Sequence, residues 1–144
     1  GYAGLVGNPC AIGEAFQITS DETLTWNQIY QTIAASLGVP LRACHVASDF
    51  LAAVGRDYDF EGSLVGDKSV SVVFDNSKLK RAVPGFCAKV RFDQGVRQSV
   101  SYILSHPEEC QKEDKDFDKW CDAVISAQEK AKEAVLSAVK AYTF

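Results

Sequence analysis

Phe16-Gln17-Ile18-Thr19-Ser20-Asp21-Glu22-Thr23-Leu24-Thr25-Trp26-Asn27-Gln28-Ile29-Tyr30 carries a change of hydrophobic period from two to about 3.6, and on that change the expected fold turns. From Ala15 to Thr19 apolar and polar residues alternate, as along a short half-buried strand. Thr25 and Gln28 then stand at capping-box spacing, where each side chain can satisfy a backbone N–H at a helix start, the cap being worth about 1 kcal/mol. Trp26, Ile29, Tyr30, Ile33 and Leu37 recur at helical spacing until Gly38 and Pro40 end the run.

Outward from this stretch, Gly7-Asn8-Pro9 and Gly13 mark turns on the upstream side. Downstream, Arg42 to Val46 reads as a second strand, and Ser48-Asp49 can cap a short helix through Phe50, Leu51 and Val54. Residues 56 to 67 are polar and Gly-rich, which predicts a loop, while 69 to 74 are β-branched enough to be extended. Asp75 or Ser77 can cap a helix over Lys78 to Val83, which Pro84-Gly85 terminates. Cys87, Lys89 and Arg91 alternate with Ala88, Val90 and Phe92 as in another strand. Asp93 can cap a helix with Val96, Val100, Ile103 and Leu104 on one face, interrupted at His106-Pro107. The acidic run from Glu113 to Asp118 suits a helix N-terminus. Beyond it Trp120, Val124, Ala127, Ala131, Val135, Ala138 and Tyr142 form a stripe that the domain or a partner must cover. The strand-helix-strand-helix order predicts an α/β fold: a small mixed sheet with packed helices and a long C-terminal helix. The expected division is a domain over 1–112 and a helical extension over 113–144.

With 144 residues, 47% hydrophobic and 24% charged, the chain has the size and balance of one soluble globular domain, able to bury ~70% of its unfolded surface. A formal charge of −4 and the lack of a Lys/Arg stripe argue against a nucleic-acid partner. Lys78, Lys80 and Arg81 follow an Asp and read as a solvated helix start. Cys10, Cys44, Cys87, Cys110 and Cys121 are odd in number with no Cys-x-x-Cys pair, which reads as a reduced, cytoplasmic thiol set. No signal peptide and no apolar run of membrane-spanning length is expected, hence no membrane partner.

Candidate chemistry is sparse. Gly1, Gly4 and Gly7 match a dinucleotide-binding spacing, but the buried strand before it and the helix after it are missing, so the match is read as chance. His45 and His106 are too few for a His-rich metal site and are read as structural. Asp57 with Asp59, and Asp114 with Asp116, are paired carboxylates read as solvated or helix-starting groups. Trp26, Tyr30 and Trp120 are expected to pack in the core.

Residues 16–30, Gly66-Asp67, Phe74-Asp75-Asn76-Ser77-Lys78-Leu79-Lys80 with Pro84-Gly85-Phe86, and Phe92-Asp93-Gln94-Gly95-Val96-Arg97 form an ordered series. Over roughly residues 5 to 112 that series resembles the C-terminal, substrate-side part of NAD-dependent epimerases/dehydratases, the extended short-chain dehydrogenases/reductases. The resemblance implies a parent oxidoreductase or isomerase that binds NAD(P) on an amino-terminal Rossmann domain and acts on a small polar or sugar-like substrate. The chain is then a fragment or a part separated from its cofactor domain. The family's Tyr-x-x-x-Lys is absent: none of Tyr2, Tyr30, Tyr58, Tyr102 and Tyr142 has Lys at the fourth position after it. No catalytic, cofactor-binding or metal-ligating residue is therefore assigned, no cofactor is expected on this chain alone, and catalysis is not expected from it. Leu64 stands where nucleotide-sugar members carry a phosphate-contacting Arg, which argues against a nucleotide diphosphate substrate. The resemblance points to Leu64, Lys68, Asn76 and Lys78 as substrate contacts, made together with the Rossmann domain. The alternative is a non-catalytic interaction module that associates, as a homodimer among other forms, through its C-terminal helix.

Overall fold

Helices carry this chain, and most begin or end where capping residues dictate. The computed structural model describes residues 1–55, 57–110 and 112–140. Their order is α1 (Tyr2–Leu5), a 3-10 turn (Pro9–Ala11), α2 (Trp26–Leu37), α3 (Ser48–Val54), a π-helical turn (Glu61–Gly66), α4 (Ser77–Ala82), α5 (Phe92–Ser105), α6 (Pro107–Cys110) and α7 (Lys115–Val139). The chain divides into two compact units, Gly1–Tyr102 and Ile103–Phe144.

The α/β expectation is overturned: among the described residues there is no strand, and the fold is all-helical. Runs 15–19, 42–46, 69–74 and 87–91 carry no regular structure, and Phe92 belongs to α5. A strand exists only through ladder hydrogen bonds to a neighbour. No backbone hydrogen bond among the described residues joins two of these runs. Alternation gave each run two faces but supplied no pairing partner.

In the first unit α2 is built as its sequence dictates. Thr25 Oγ1 accepts from Gln28 N at 3.3 Å, and Gln28 Oε1 accepts from Thr25 N at 2.8 Å, a complete capping box. Gly38 ends α2 in the left-handed region at φ 71°, where a side chain would be strained. The Ser48 start of α3 is met, though its N-cap is Ala47 with no side-chain cap. Instead Asp49 Oδ1 accepts from Phe50 N at 2.8 Å. The loop expected over 56–67 contains the π-helical turn Glu61–Gly66; Arg56 lies outside the described residues.

Short α4 is the hub of this unit. Leu79 is fully buried, and with Ala34 it makes up the buried hydrophobic side chains among the described residues. Asn8 Nδ2 donates to Ala82 O at 2.9 Å, tying the amino-terminal turn to the end of α4. Lys78 reaches Glu14 at 2.6 Å and lies 4.9 Å from the centroid of the Phe16 ring. Trp26 and Tyr30 do not enter a core: they are 61% and 53% exposed and lean on each other with ring centroids 6.2 Å apart. Without a sheet to lie on, the aromatic stripe of α2 has no layer to face.

In the second unit Asp114 caps α7, its Oδ1 accepting from Phe117 N at 3.0 Å. Phe117 and Trp120 stack with centroids 5.9 Å apart. Phe117, Trp120, Cys121, Val124 and Gln128 are half-buried on one helical face, whereas every residue from Glu129 to Lys140 is exposed. Tyr142, expected on the same stripe, lies outside the described residues. No helix among the described residues is long and apolar enough to cross a membrane.

Candidate functional site

Three segments distant in sequence meet around a cleft of about 540 Å³ in the first unit. The loop before α2 supplies Asp21 and Glu22, the start of α4 supplies Asp75, Asn76, Ser77 and Lys80, and the start of α5 supplies Phe92. Leu24, Ile29, Val72, Val73 and Phe74 give it apolar walls.

Asn76 organises the site. It is 6% exposed, and its Nδ2 donates to Thr19 O at 2.9 Å and to Asp21 Oδ1 at 3.1 Å. Both partners are acceptors, which fixes the orientation of the amide. Lys80 Nζ lies 2.6 Å from the same Asp21 Oδ1. The Lys80 ammonium first, then the Asn76 amide, hold the Asp21 carboxyl below the usual aspartate range. Asp75 Oδ1 accepts from the Ser77 hydroxyl and from Ser77 N, the latter at 2.8 Å. Those two bonds lower the Asp75 carboxyl, with smaller help from the charges of Arg81 and Lys80. Glu22 Oε2 accepts from Phe92 N at 2.7 Å, so a carboxylate satisfies an orphan amide where α5 begins. Arg91 Nε lies 3.9 Å from Glu22 and 3.1 Å from Asp93. Asp93, paired with Arg97 at 2.7 Å, is lowered chiefly by that guanidinium.

The four residues pointed to as substrate contacts do not converge. Asn76 lines this cleft. Lys68 lines a second cleft of about 620 Å³ that shares Thr23, Leu24, Ile29 and the run 72–74 with the first. There its Nζ is held by Ser63 O and Asp67 Oδ2, each at 3.0 Å. Lys78 lines a third depression with Asn8, Cys10 and Phe16 and is engaged by Glu14. Leu64 sits half-buried in the π-helical turn and lines none of these three. Asp21, Glu22 and Lys80 had no assignment from sequence. The one available signal was a pair of carboxylates placed just ahead of the capping box; their meeting with α4 is long-range and leaves no local trace.

The other titratable candidates have structural duties. Asp59 Oδ1 accepts from Gly62 N at 2.8 Å, and Asp114 caps α7. Asp116 lies 3.4 Å from Lys119. His45 Nε2 and Asn27 Oδ1 stand 2.9 Å apart, as do Ser105 Oγ and His106 Nδ1 at 3.0 Å. Among the described residues no group of three or more His, Cys, Asp or Glu could hold a metal ion. The glycine series does not fit a dinucleotide. Gly4 lies inside α1, and a Cβ there would run into the Val83 side chain; one on Gly1 would come within 2.7 Å of Ile18 Cγ2. These glycines permit close packing against the protein itself, and the backbone they belong to is not a loop open to a pyrophosphate. Comparison with family models, curated proteins and solved structures returns no match for this chain.

Proposed function

We propose that this chain is the substrate-side portion of an NAD(P)-dependent epimerase/dehydratase, contributing contacts to a small polar or sugar-like substrate and not catalytic by itself. The observation that carries the reading is the convergence on one cleft of three stretches of the family-like series. Residues 16–30, 74–80 and 92–97 are separate in sequence, yet Asn76, Lys80 and Phe92 bond back to Thr19, Asp21 and Glu22. The cleft holds carboxylates, hydroxyls, an amide and a lysine beside apolar walls, the mix that orients a small polar molecule. It holds no tyrosine with a lysine at the fourth position, and so no group of the kind the family uses for proton transfer. Cofactor grip and hydride transfer belong, on this reading, to polypeptide other than these residues. The five cysteines are all free thiols, which supports a cytoplasmic setting.

The test is an assay of the purified chain with NAD+ or NADP+ and a panel of hydroxylated small molecules, followed by the absorbance of the reduced cofactor. No turnover above the reaction without protein is expected; steady reduction would overturn the non-catalytic assignment.

The second reading, an interaction module acting through α7, has its own support. From Glu129 to Lys140 the helix is exposed on every side, including Val135 at 60% and Leu136 at 55%. A free helix of about twelve residues is marginal in water, so this end gains from cover. Sedimentation over rising concentration tests it, with self-association expected and a concentration-independent monomer counting against a homodimer.

A further inference from the structure

The lining of the cleft is unequal in hydrogen-bonding sense. Three carboxylates, Asp21, Glu22 and Asp75, face it beside a single cation, Lys80, which Asp21 already engages. Asp21 and Asp75 each spend one oxygen, Oδ1, on the protein, and their Oδ2 atoms make no hydrogen bond among the described residues. Asn76 repeats the pattern from within the protein. Although it is 6% exposed, both protons of its amide are donated and its Oδ1 accepts nothing, while no buried side-chain polar atom among the described residues lacks a partner. That oxygen therefore opens to the solvent of the cleft it lines. Arg81 acts on Asp75 by charge, and Arg91 stands behind Glu22; neither lines the cleft.

A site with acceptors to spare and its one ammonium occupied selects a ligand rich in N–H and O–H donors and disfavours an anion. The carboxylates do not gather closely enough to hold a metal ion. Apolar walls of Leu24, Phe74 and Phe92 suit a ligand with a carbon body. The geometry points to a small organic cation, a primary ammonium on a hydroxylated body such as an amino sugar, received by Asn76 Oδ1 and the free oxygens of Asp21 and Asp75. This rests on the reading of the cleft as substrate-contacting and narrows the class of substrate.

Nitrogen-15 NMR titration of the full chain at about pH 6.5, where the amine is protonated and the carboxylates are ionised, compares glucosamine, glucose and glucose 6-phosphate. Saturable shifts from glucosamine are expected at the amides of 19–24 and 74–77, with glucose at least about threefold weaker and the phosphate giving none. Asp75→Asn keeps the Oδ1 acceptor for Ser77 while removing the charge, and is expected to erase the preference for the amine. Raising salt to about 1 M, which cuts the screening length to ~3 Å, does the same in the unaltered chain, so the test stands even if the variant folds poorly. Equal binding of glucose and glucosamine at these amides overturns the ammonium assignment and spares the cleft as a polar-substrate site. Phosphate binding as strong as the amine, or no shift from glucosamine at about 50 mM, overturns the proposal outright. Failure of the broader reading shows separately, as cofactor reduction by this chain.

Discussion

Asn76 joins backbone and side chain 57 and 55 residues away, through Thr19 and Asp21, and does so from a nearly buried position. Truncating it leaves Thr19 O without its partner, so Asn76→Ala is expected to lower stability by about 1–3 kcal/mol in urea unfolding. Beneath it, Leu79→Ala empties a fully buried site and is expected to cost about 2–5 kcal/mol. Asp21 has a carboxyl held low by Lys80 and Asn76. A depressed folded pKa gives stability that is present above the unfolded aspartate value and is lost as pH falls through the lower folded one. Carbon-13 titration of Asp21 should therefore show a pKa below the ordinary aspartate value, and Lys80→Met should move it upward. A value unmoved by Lys80→Met would contradict the ion pair. Cys121 differs from the exposed Cys10, Cys44, Cys87 and Cys110: burial first, then Asp118 and Asp122, push its thiol up. Because the thiolate is the nucleophile, maleimide labelling followed by mass spectrometry should find Cys121 the slowest of the five.

At the level of elements, what could be read in advance was what is encoded locally. Thr25 with Gln28, Gly38 and Asp114 announce helix ends through bonds to residues within a turn or two, and α2 and α7 begin where those signals stand. Thr25→Ala is accordingly expected to cost about 1 kcal/mol, seen as a lower midpoint in thermal unfolding followed by circular dichroism. Runs 15–19, 42–46, 69–74 and 87–91 failed as strands because alternation specifies faces, and pairing is a property of two segments together. Val72 and Phe74, 59% and 57% exposed, show the consequence: β-prone side chains without a ladder gain no cover. The candidate site was half legible for the same reason. Asn76 follows from the family-like series, whereas Asp21, Glu22 and Lys80 join it through contacts across 55 to 70 residues, which local patterns do not carry.

For the molecule as a whole, the account joins three facts about the first unit: a helical scaffold, a polar cleft where distant segments meet, and glycines pressed against their own protein. Together they describe polypeptide that can hold a substrate and has no cradle for a dinucleotide. Fluorescence titration of the purified chain with NADH and NADPH tests that claim most directly. The account predicts no saturable change up to about 1 mM cofactor, and saturable binding with a micromolar Kd by this chain alone would contradict it.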